Sequence, residues 1–291
     1  MRNILVFGGT RYFGKRLVEK LIANGDQVTI ATRGESRDDF GNQVKRVIVD
    51  RTKQAELAEA FLSKKDWDII YDNICYSPKE AQALIEIFTN KVTKVIFTST
   101  MSTYPVMKAA LTEQGFDPYT YTYQMIGRED ANYDEVKRQA EAVYFQAAPF
   151  LVTAVRFPIV LGEDDYTKRL HFHIDRIKNR LPIGFPTLTA DISFISSKEA
   201  ADFLFWLGNT NVTGPINACS NEDISLKWLI QLIEQEIGQQ AIISNEITEE
   251  NASPFGIPQT WSLSNARAKN LGFPFEKLTD WLVPLIKKLA Q

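Results

Sequence analysis

An apolar run that leads directly into two glycines opens the chain. The run is Ile4–Phe7, the glycines are Gly8 and Gly9, and from Phe13 onward the apolar residues take a helical spacing. This change of period predicts a strand, a tight turn and the N-terminus of a helix. In such a turn, backbone N–H groups can approach a pyrophosphate closely, and the helix N-terminus favours its negative charge. A dinucleotide-binding βαβ unit begins in this way, although an ordinary strand-to-helix turn can carry the same glycines.

The residues that follow favour the dinucleotide-binding interpretation. Asn24-Gly25 is typical of a helix C-terminus, and Val28–Ala31 follows as a second apolar strand. The unit therefore spans about thirty residues, as a βαβ unit should.

Strands and helices continue to alternate up to residue 157. The expected strands are Val44–Val49, Asp68–Tyr71 with Ile74, Lys94–Thr98 and Leu151–Phe157, and the expected helices are Lys53–Ser63, Ala81–Phe88 and Asp134–Ala147. Between residues 101 and 131 the periodicity is lost, which predicts a long functional loop. The alternation predicts an α/β fold with a Rossmann-type doubly wound parallel sheet and right-handed crossovers.

The remaining residues predict a smaller C-terminal α/β substrate domain. Beyond residue 157 the expected elements are helices near Lys168–Asn179 and at Ser197–Leu207, Leu226–Ile237 and Leu278–Leu289, strands near Ser193–Ile195, Ile216–Ala218 and Ala241–Ser244, and a turn at 182–186. We assign residues 1–160 with about 190–212 to the dinucleotide-binding domain, and about 161–189 with 213–291 to the substrate domain. Ligands of such folds bind at the carboxyl ends of the strands, where we expect the substrate domain to lie.

Composition narrows the class of partner. The chain has 291 residues and a net charge of −3, so no basic excess points to nucleic acid. No apolar run approaches the roughly twenty residues that a bilayer requires, and the N-terminus lacks a signal-peptide pattern. We therefore expect a cytoplasmic protein with no membrane partner.

Cysteine and histidine are too sparse for a disulfide framework or a metal site. Cys75 and Cys219 each lie at or just beyond an apolar strand-like run, so both are expected to be buried thiols. His171 and His173 alternate, but they have no nearby cysteine or third plausible ligand, so no metal is expected.

Tyr133 and Lys137 stand four residues apart at the start of a predicted helix. Residues at this spacing share one helical face, so an ammonium can lie beneath the phenol and favour its ionised form. A phenol, with a reference pKa of about 10, is a poor base near neutrality until a positive charge lowers that pKa. A surface pair without function has the same spacing. The position after the fifth strand of a dinucleotide-binding sheet favours the catalytic interpretation.

Hydroxyl side chains follow the fifth predicted strand, within the segment Phe97–Tyr104. Hydroxyls at the carboxyl end of a strand can hydrogen-bond a substrate carbonyl or alcohol and polarise it for hydride transfer. Most of these serines and threonines must nevertheless serve only to cap and turn the chain.

Taken in order, these motifs resemble those of the extended short-chain dehydrogenase/reductases, a family that includes nucleotide-sugar epimerases and dehydratases. The resemblance covers nearly all of the chain. The segments that carry it are Gly8 and Gly14 of the glycine motif, with Arg11 in the middle position, DNICY at 72–76, FTSTMSTY at 97–104, YDEVK at 133–137, and Arg156-Phe157-Pro158 in place of the Arg-Pro that leads into the substrate domain.

The resemblance implies a mechanism and a catalytic set. Tyr133 would exchange a proton with a substrate hydroxyl, and Lys137 would bind the nicotinamide ribose and lower the pKa of Tyr133. Thr100, four residues before Tyr104, matches the family's catalytic Ser/Thr and would orient the substrate oxygen. Hydride would pass to or from the nicotinamide ring.

The expected cofactor is NADP(H), with NAD(H) as the alternative. An NAD enzyme needs a carboxylate at the end of the second strand, and Thr32 and Arg33 stand there instead, with Arg11 in the glycine loop. Two guanidiniums near one ribose suit a 2′-phosphate. The resemblance further places Asp50 beside the adenine, although an aspartate at this position can instead cap the loop. The complete expected cofactor set is Gly8, Gly9, Thr10, Arg11, Tyr12, Phe13, Gly14, Thr32, Arg33, Asp50, Arg51 and Lys137.

The sequence thus predicts an NADP(H)-dependent oxidoreductase or epimerase/dehydratase that acts on a sugar, with a nucleotide-sugar as the expected substrate. The alternative is a non-catalytic dinucleotide-binding protein, either a redox sensor or an RNA-associated scaffold. The GGTR form of the glycine loop resembles an atypical branch that includes chloroplast stem-loop RNA-binding proteins, which keeps this alternative open. A homodimer is also left open.

Overall fold

The computed structural model describes residues 1–63 and 66–291. The strands of this part of the chain are β1 (Asn3–Phe7), β2 (Gln27–Thr32), β3 (Val44–Ile48), β4 (Trp67–Asp72), β5 (Val92–Thr100), β6 (Leu151–Phe157), β7 (Ile159–Leu161), β8 (Pro182–Gly184), β9 (Asp191–Ile192), β10 (Phe194–Ser196), β11 (Gly214–Asn217), β12 (Ile224–Ser225) and β13 (Ile242–Ser244). The α-helices are α1 (Tyr12–Ala23), α2 (Gln54–Ala60), α3 (Pro78–Phe88), α4 (Tyr133–Ala147), α5 (Arg169–Lys178), α6 (Ser197–Gly208), α7 (Leu226–Ile237), α8 (Ala266–Asn270) and α9 (Leu278–Leu289).

The chain divides into two compact units. Unit 1 comprises Met1–Pro105, Glu113–Phe157 and Ala200–Asn217, and unit 2 comprises Val106–Thr112, Pro158–Glu199 and Ala218–Gln291. Each unit has a hydrophobic core of its own. The roles of cofactor and substrate domain remain predictions for the two units.

Unit 1 is built on a parallel sheet of seven strands. Their order is β11-β6-β5-β4-β1-β2-β3, and every neighbouring pair is parallel. The order reverses between β1 and β4, which creates the crevice where doubly wound folds bind ligands. The predicted Rossmann-type α/β fold is therefore confirmed.

Both faces of this sheet are covered, which explains why its strands are almost continuously apolar. Leu5 and Phe7 of β1 pack with α3 and α4 in one buried cluster. Val6 faces the other way, and both Val6 and Val18 of α1 lie against Gly9. One strand thus contributes to both sides of the core.

Unit 2 contains three short strand pairs and several helices. β7 pairs with β10 and β8 with β13 in parallel, whereas β9 and β12 are antiparallel. Its core is formed by the apolar faces of α5, α7 and α9 packed against these strands. Cys219 of this unit and Cys75 of unit 1 are both buried free thiols, as predicted.

Most predicted elements agree with the structure, and the differences lie at short segments. The fourth strand ends at Asp72, so Ile74 lies beyond it, and the second helix ends at Ala60. The segment 182–186, which was expected to be a turn, begins with strand β8. This strand pairs with β13, which lies sixty residues further along the chain, so the residues of the segment alone do not indicate it. Within the described residues, no helix is long and apolar enough to cross a membrane.

Candidate active site at the carboxyl edge of the sheet

The glycine turn after β1 has a backbone that only glycine accommodates. Gly8 has a φ of +77°, in the left-handed region that L side chains rarely adopt. A Cβ on Gly14 would overlap the carbonyl oxygen of Gly8. The turn and the start of α1 are therefore in close contact, with no room for a side chain at Gly14.

The N-terminus of α1 carries no competing charge. Its first turn contains no acidic side chain, and Arg11, the N-cap residue, makes no side-chain cap hydrogen bond. Arg11 has extended backbone with a φ of −138°, so a glycine is not required at this middle position of the motif. Tyr12 is buried, and the Phe13 ring packs 5.8 Å from the ring of Phe157. The side chains of both aromatic residues thus pack within the protein.

Asn73 lies at the border of β1 and β4, beside the glycine turn. Its backbone N–H donates to Phe7 at 3.2 Å, and its Oδ1 accepts a 2.9 Å hydrogen bond from the Thr98 hydroxyl. The Asn73 Nδ2 group is buried and has no hydrogen-bond partner in the described part of the protein. It lies 3.5 Å from the position that a Cβ on Gly14 would take.

These features fit the diphosphate of a dinucleotide. A glycine cradle that a Cβ would fill, a helix N-terminus without an acidic residue and an unused amide donor lie within one small region. Each presents N–H groups or positive dipole to an anion. The residues expected to hold the diphosphate, including Thr10 between Gly9 and Arg11, are therefore together in the structure.

Lys137 connects this region to α4. Its ammonium is buried and donates to the carbonyl oxygens of Cys75 at 2.8 Å and Thr98 at 2.7 Å. It also lies 4.2 Å from the centroid of the Phe97 ring. Burial lowers the pKa of Lys137 to about 8, even though nearby acidic groups oppose this shift. At neutral pH the group is still mostly protonated.

Tyr133 and Thr100 lie at the same end of unit 1 but have different neighbours. Tyr133 is the first residue of α4, its side chain is half exposed, and its ring packs against Tyr76 with 5.9 Å between centroids. Thr100 is the last residue of β5, and its hydroxyl accepts a 3.2 Å hydrogen bond from the backbone of Ser102. The structure therefore places these two residues and Lys137 near the ends of β4 and β5, with Thr100 acting as a local cap.

The residues expected around the adenine ribose lie on the exposed edge of unit 1. Arg33 forms a 2.8 Å ion pair with Glu35, and both side chains are exposed. The Thr32 hydroxyl accepts from the N–H of Gly34 at 3.3 Å. Asp50 accepts from the backbone and hydroxyl of Thr52, and these hydrogen bonds lower the pKa of its carboxyl.

Arg51 is placed differently from its predicted neighbours. Its guanidinium is buried beside Asp72, to which it donates, and it also donates to the carbonyl of Glu80 at 3.1 Å. The other carboxylate oxygen of Asp72 accepts from the Tyr144 hydroxyl at 2.5 Å. Because this guanidinium is committed inside the fold, we leave Arg51 out of the proposed cofactor site.

Arg156 is also an internal residue. Its side chain is fully buried and forms a 2.5 Å ion pair with Glu141. It further donates to the Tyr104 hydroxyl at 3.2 Å and to the carbonyls of Glu113 and Phe116, both at 3.0 Å. The arginine of the Arg-Phe-Pro segment thus anchors the long loop of unit 1 from below the sheet edge.

The structure adds Arg128 to the candidate site, and it gives individual contacts to Asn73 and Tyr76, which the sequence placed only within the segment DNICY at 72–76. A polar side chain directly after β4, at the point where the strand order reverses, was the available signal for Asn73. Arg128 had no local signal, because its partner Glu80 lies forty-eight residues away.

Of the two histidines of unit 2, His173 is accounted for by local contacts. Both ring nitrogens of His173 make hydrogen bonds, to the Arg169 carbonyl at 2.9 Å and to the Ser253 hydroxyl at 2.7 Å. Burial lowers the pKa of His173 to about 4. In residues 1–63 and 66–291, no three His, Cys, Asp or Glu side chains are grouped so that they could hold a metal.

Comparisons with known proteins bear on the family and the fold. The model of the NAD dependent epimerase/dehydratase family matches residues 4–219. The structure of UDP-glucose 4-epimerase from Thermus thermophilus, a complex with NAD, is similar with a TM-score of 0.74 and 15% identity over 99% of this chain and 98% of that one. UDP-N-acetylglucosamine 4-epimerase from Bacillus cereus has a TM-score of 0.70 and 17% identity over 100% and 98% of the two chains. At these identities the likeness shows the fold.

One curated relative has a different description. The chloroplast stem-loop binding protein of 41 kDa b from Arabidopsis thaliana is 25% identical over 240 residues, which are 76% of this chain and 59% of that protein. The chain therefore matches about three fifths of the length of this relative.

Proposed function

The chain belongs to the NAD dependent epimerase/dehydratase family, and from this membership we propose that it binds a nicotinamide dinucleotide in unit 1 and acts on a nucleotide-linked sugar. One observation carries the proposal. Thr98 joins the two halves of the site, because its hydroxyl holds Asn73 beside the glycine turn and its carbonyl holds the Lys137 ammonium. The anion cradle and the expected catalytic helix are thus tied to one strand.

In this proposal the bound nicotinamide supplies a hydride acceptor and donor. Gly8, Gly9 and the first turn of α1 hold the diphosphate, and Asn73 adds an amide donor there. Lys137 lies where a mostly protonated ammonium supports the ribose and the ionised phenol.

The proton is handled by hydroxyl groups. Tyr133 accepts the proton of a substrate hydroxyl and returns it, which is the usual work of a general acid and base. Thr100 orients the same substrate oxygen through a hydrogen bond. A substrate alcohol is in this way deprotonated where hydride leaves its carbon.

Within the same proposal NADP(H) is the preferred cofactor, because β2 ends at Thr32 and is followed by Arg33, with no carboxylate at either position. The Thermus relative is described in complex with NAD, so NAD(H) is the competing outcome.

The test uses the purified protein loaded with NAD⁺ or NADP⁺ and a panel of UDP-sugars, beginning with UDP-glucose and UDP-N-acetylglucosamine. Turnover is followed by the absorbance of the reduced nicotinamide and by chromatography of the sugars, since an epimerase regenerates its cofactor. Tyr133→Phe keeps the ring and removes the proton carrier, so turnover should fall by about 10² to 10⁴ while cofactor affinity is retained. An unchanged rate in this variant would refute the catalytic assignment.

A second candidate is a dinucleotide-binding protein without catalysis. Two observations favour it: the curated relative is described as a stem-loop binding protein, and the Lys137 ammonium already donates to two backbone carbonyls. This candidate predicts cofactor binding, no product from any sugar in the panel, and a measurable affinity for a stem-loop RNA.

A further inference from the structure

Tyr76 lies on the loop between β4 and α3, and its ring contacts groups of the candidate site from three directions. The Arg128 guanidinium lies 4.5 Å from its centroid, and the Lys137 ammonium lies 5.7 Å from it. The Tyr133 ring meets it at 5.9 Å with an interplanar angle of 62°, an edge-to-face arrangement. Aromatic pairs favour this geometry.

Glu80 holds Tyr76 in place from the first turn of α3. Its carboxylate accepts the backbone N–H of Tyr76 at 3.0 Å and the Ser77 hydroxyl at 3.3 Å. The same carboxylate binds the guanidinium of Arg128, which also donates to the Ile74 carbonyl at 3.2 Å. Backbone and ring of Tyr76 are thereby fixed through one buried acid.

This buried acid remains ionised. Burial by itself would raise the pKa of Glu80, but the hydrogen bond from Arg128 and the charge of Arg51 outweigh burial and lower it. A charged Glu80 keeps Arg128 over the Tyr76 ring, where a cation is attracted to the aromatic face.

Tyr133 lies where a neighbouring ring can orient it. It is the first residue of α4, and its side chain is half exposed. Lys137 directs its ammonium toward the Cys75 and Thr98 carbonyls. The Tyr76 ring, itself partly exposed, is thus a packing surface against which the Tyr133 ring can be oriented.

We propose that Tyr76 is a positioning residue that directs the Tyr133 hydroxyl toward substrate, and that Arg128 and Glu80 lock Tyr76 for this purpose. The inference rests on the proposed role of Tyr133 as proton carrier. It predicts a requirement for the aromatic ring at residue 76, with no requirement for its hydroxyl.

The kinetic test compares NADP⁺-loaded variants with UDP-glucose as substrate. Tyr76→Ala should lower kcat about tenfold, the rate equivalent of one aromatic pair, and leave KM within about twofold. Tyr76→Phe should behave as the wild type, and Arg128→Met should lower kcat by less than Tyr76→Ala does. In a Tyr133→Phe background, Tyr76→Ala should have no further effect, because the residue acts through Tyr133.

A second measurement needs no substrate. The protein is labelled with 3-fluorotyrosine, and the ¹⁹F resonance of Tyr133 is assigned by its loss in Tyr133→Phe. Tyr76→Ala should move this resonance toward that of free fluorotyrosine, whereas Tyr76→Phe should leave it in place. Tyr119→Ala is the matched control, since the Tyr119 ring packs 4.9 Å from Phe145 on the same unit.

The two measurements separate failure of the inference from failure of the proposed function. An unmoved Tyr133 resonance in Tyr76→Ala, or an equal movement in Tyr119→Ala, overturns the positioning role whether or not the protein turns over UDP-glucose. If Tyr76→Ala moves the Tyr133 resonance but the wild-type protein converts no sugar, the contact between the two rings stands and the catalytic function is overturned instead. An equal loss of kcat in the Tyr133→Phe background also overturns the inference.

Discussion

Lys137 donates a 2.7 Å hydrogen bond to the carbonyl oxygen of Thr98, so α4 is fastened to β5 by a buried charge. We predict that Lys137→Met raises the dissociation constant for the cofactor and abolishes most of the turnover. The difference in stability between the wild type and this variant should also change with pH. The pKa of Lys137 is lowered to about 8, so the unfolded chain binds more protons than the folded one between about pH 8 and pH 10.

In that window the wild type should gain free energy of unfolding relative to Lys137→Met as the pH rises, and below about pH 8 their difference should be constant. Urea unfolding of both proteins across this pH range measures the difference in their free energies of unfolding. A difference that does not vary with pH would contradict the assigned pKa.

Gly14→Ala should abolish dinucleotide binding. The added Cβ overlaps the Gly8 carbonyl, so the turn must open and its N–H groups must move. Gly25→Ala is the control, because it has a φ of +80° and open space around the Cβ. That control should cost about 1 kcal/mol of stability and retain binding, as measured by calorimetry with NAD⁺ and NADP⁺. Retained affinity in Gly14→Ala would place the cofactor elsewhere.

Arg33→Ala should weaken NADP⁺ binding at least tenfold and leave NAD⁺ binding within about twofold, since a guanidinium interacts with the additional phosphate. The Glu35 carboxylate pairs with Arg33, so Glu35→Gln should strengthen NADP⁺ binding. Direct titrations of the two cofactors decide the point. Equal dissociation constants for NAD⁺ and NADP⁺ in the wild type would show that Arg33 does not discriminate between the two cofactors.

Arg156→Met should destabilise the protein by about 3–5 kcal/mol, because it leaves Glu141 as an uncompensated buried charge. The double variant Arg156→Met/Glu141→Gln should recover part of that loss. Thermal and urea unfolding of the wild type, both single variants and the double variant test this coupling. Additive effects of the two substitutions would mean that the pair does not act as a unit.

Acid should destabilise unit 2 through His173. Its pKa is lowered to about 4, so its neutral form is favoured by folding, and stability is present above about pH 6.5 and is lost as the pH falls toward 4. The full effect is about 3 kcal/mol. His173→Gln should lose less stability than the wild type over this range, and parallel losses would argue against the buried neutral ring.

Local signals predicted the long elements well. The predicted bounds of α7, Leu226–Ile237, agree with the structure because a serine and a glycine mark its ends. Ser225 accepts from the Trp228 N–H, and Gly238 is left-handed with a φ of +74°. Strand β8 has no such markers and forms only where β13 pairs with it. Its existence depends on tertiary contact rather than on its own residues.

In the candidate site, too, local signals predicted some features, whereas others depend on tertiary contacts. Tyr133 and Lys137 could be placed on one helix from their spacing alone. The burial of Arg51 could not be predicted from the sequence, because its partner Asp72 is twenty-one residues away and a charged residue after a strand is usually exposed. The carbonyl partners of Lys137 are similarly distant in the chain, so its pKa had no sequence signal.

The last strand of the unit 1 sheet, β11, is formed by residues that a ribosome makes late. Until Gly214–Asn217 emerge, β6 remains an open edge with unpaired backbone groups. The segments that form strands β7, β8, β9 and β10 have already been synthesised by then. Open edges invite pairing with other chains, so a nascent chain that pauses in this interval is exposed to aggregation. A fragment that stops at Phe157 should therefore be poorly soluble, and unit 1 cannot be separated from the chain by a single cut.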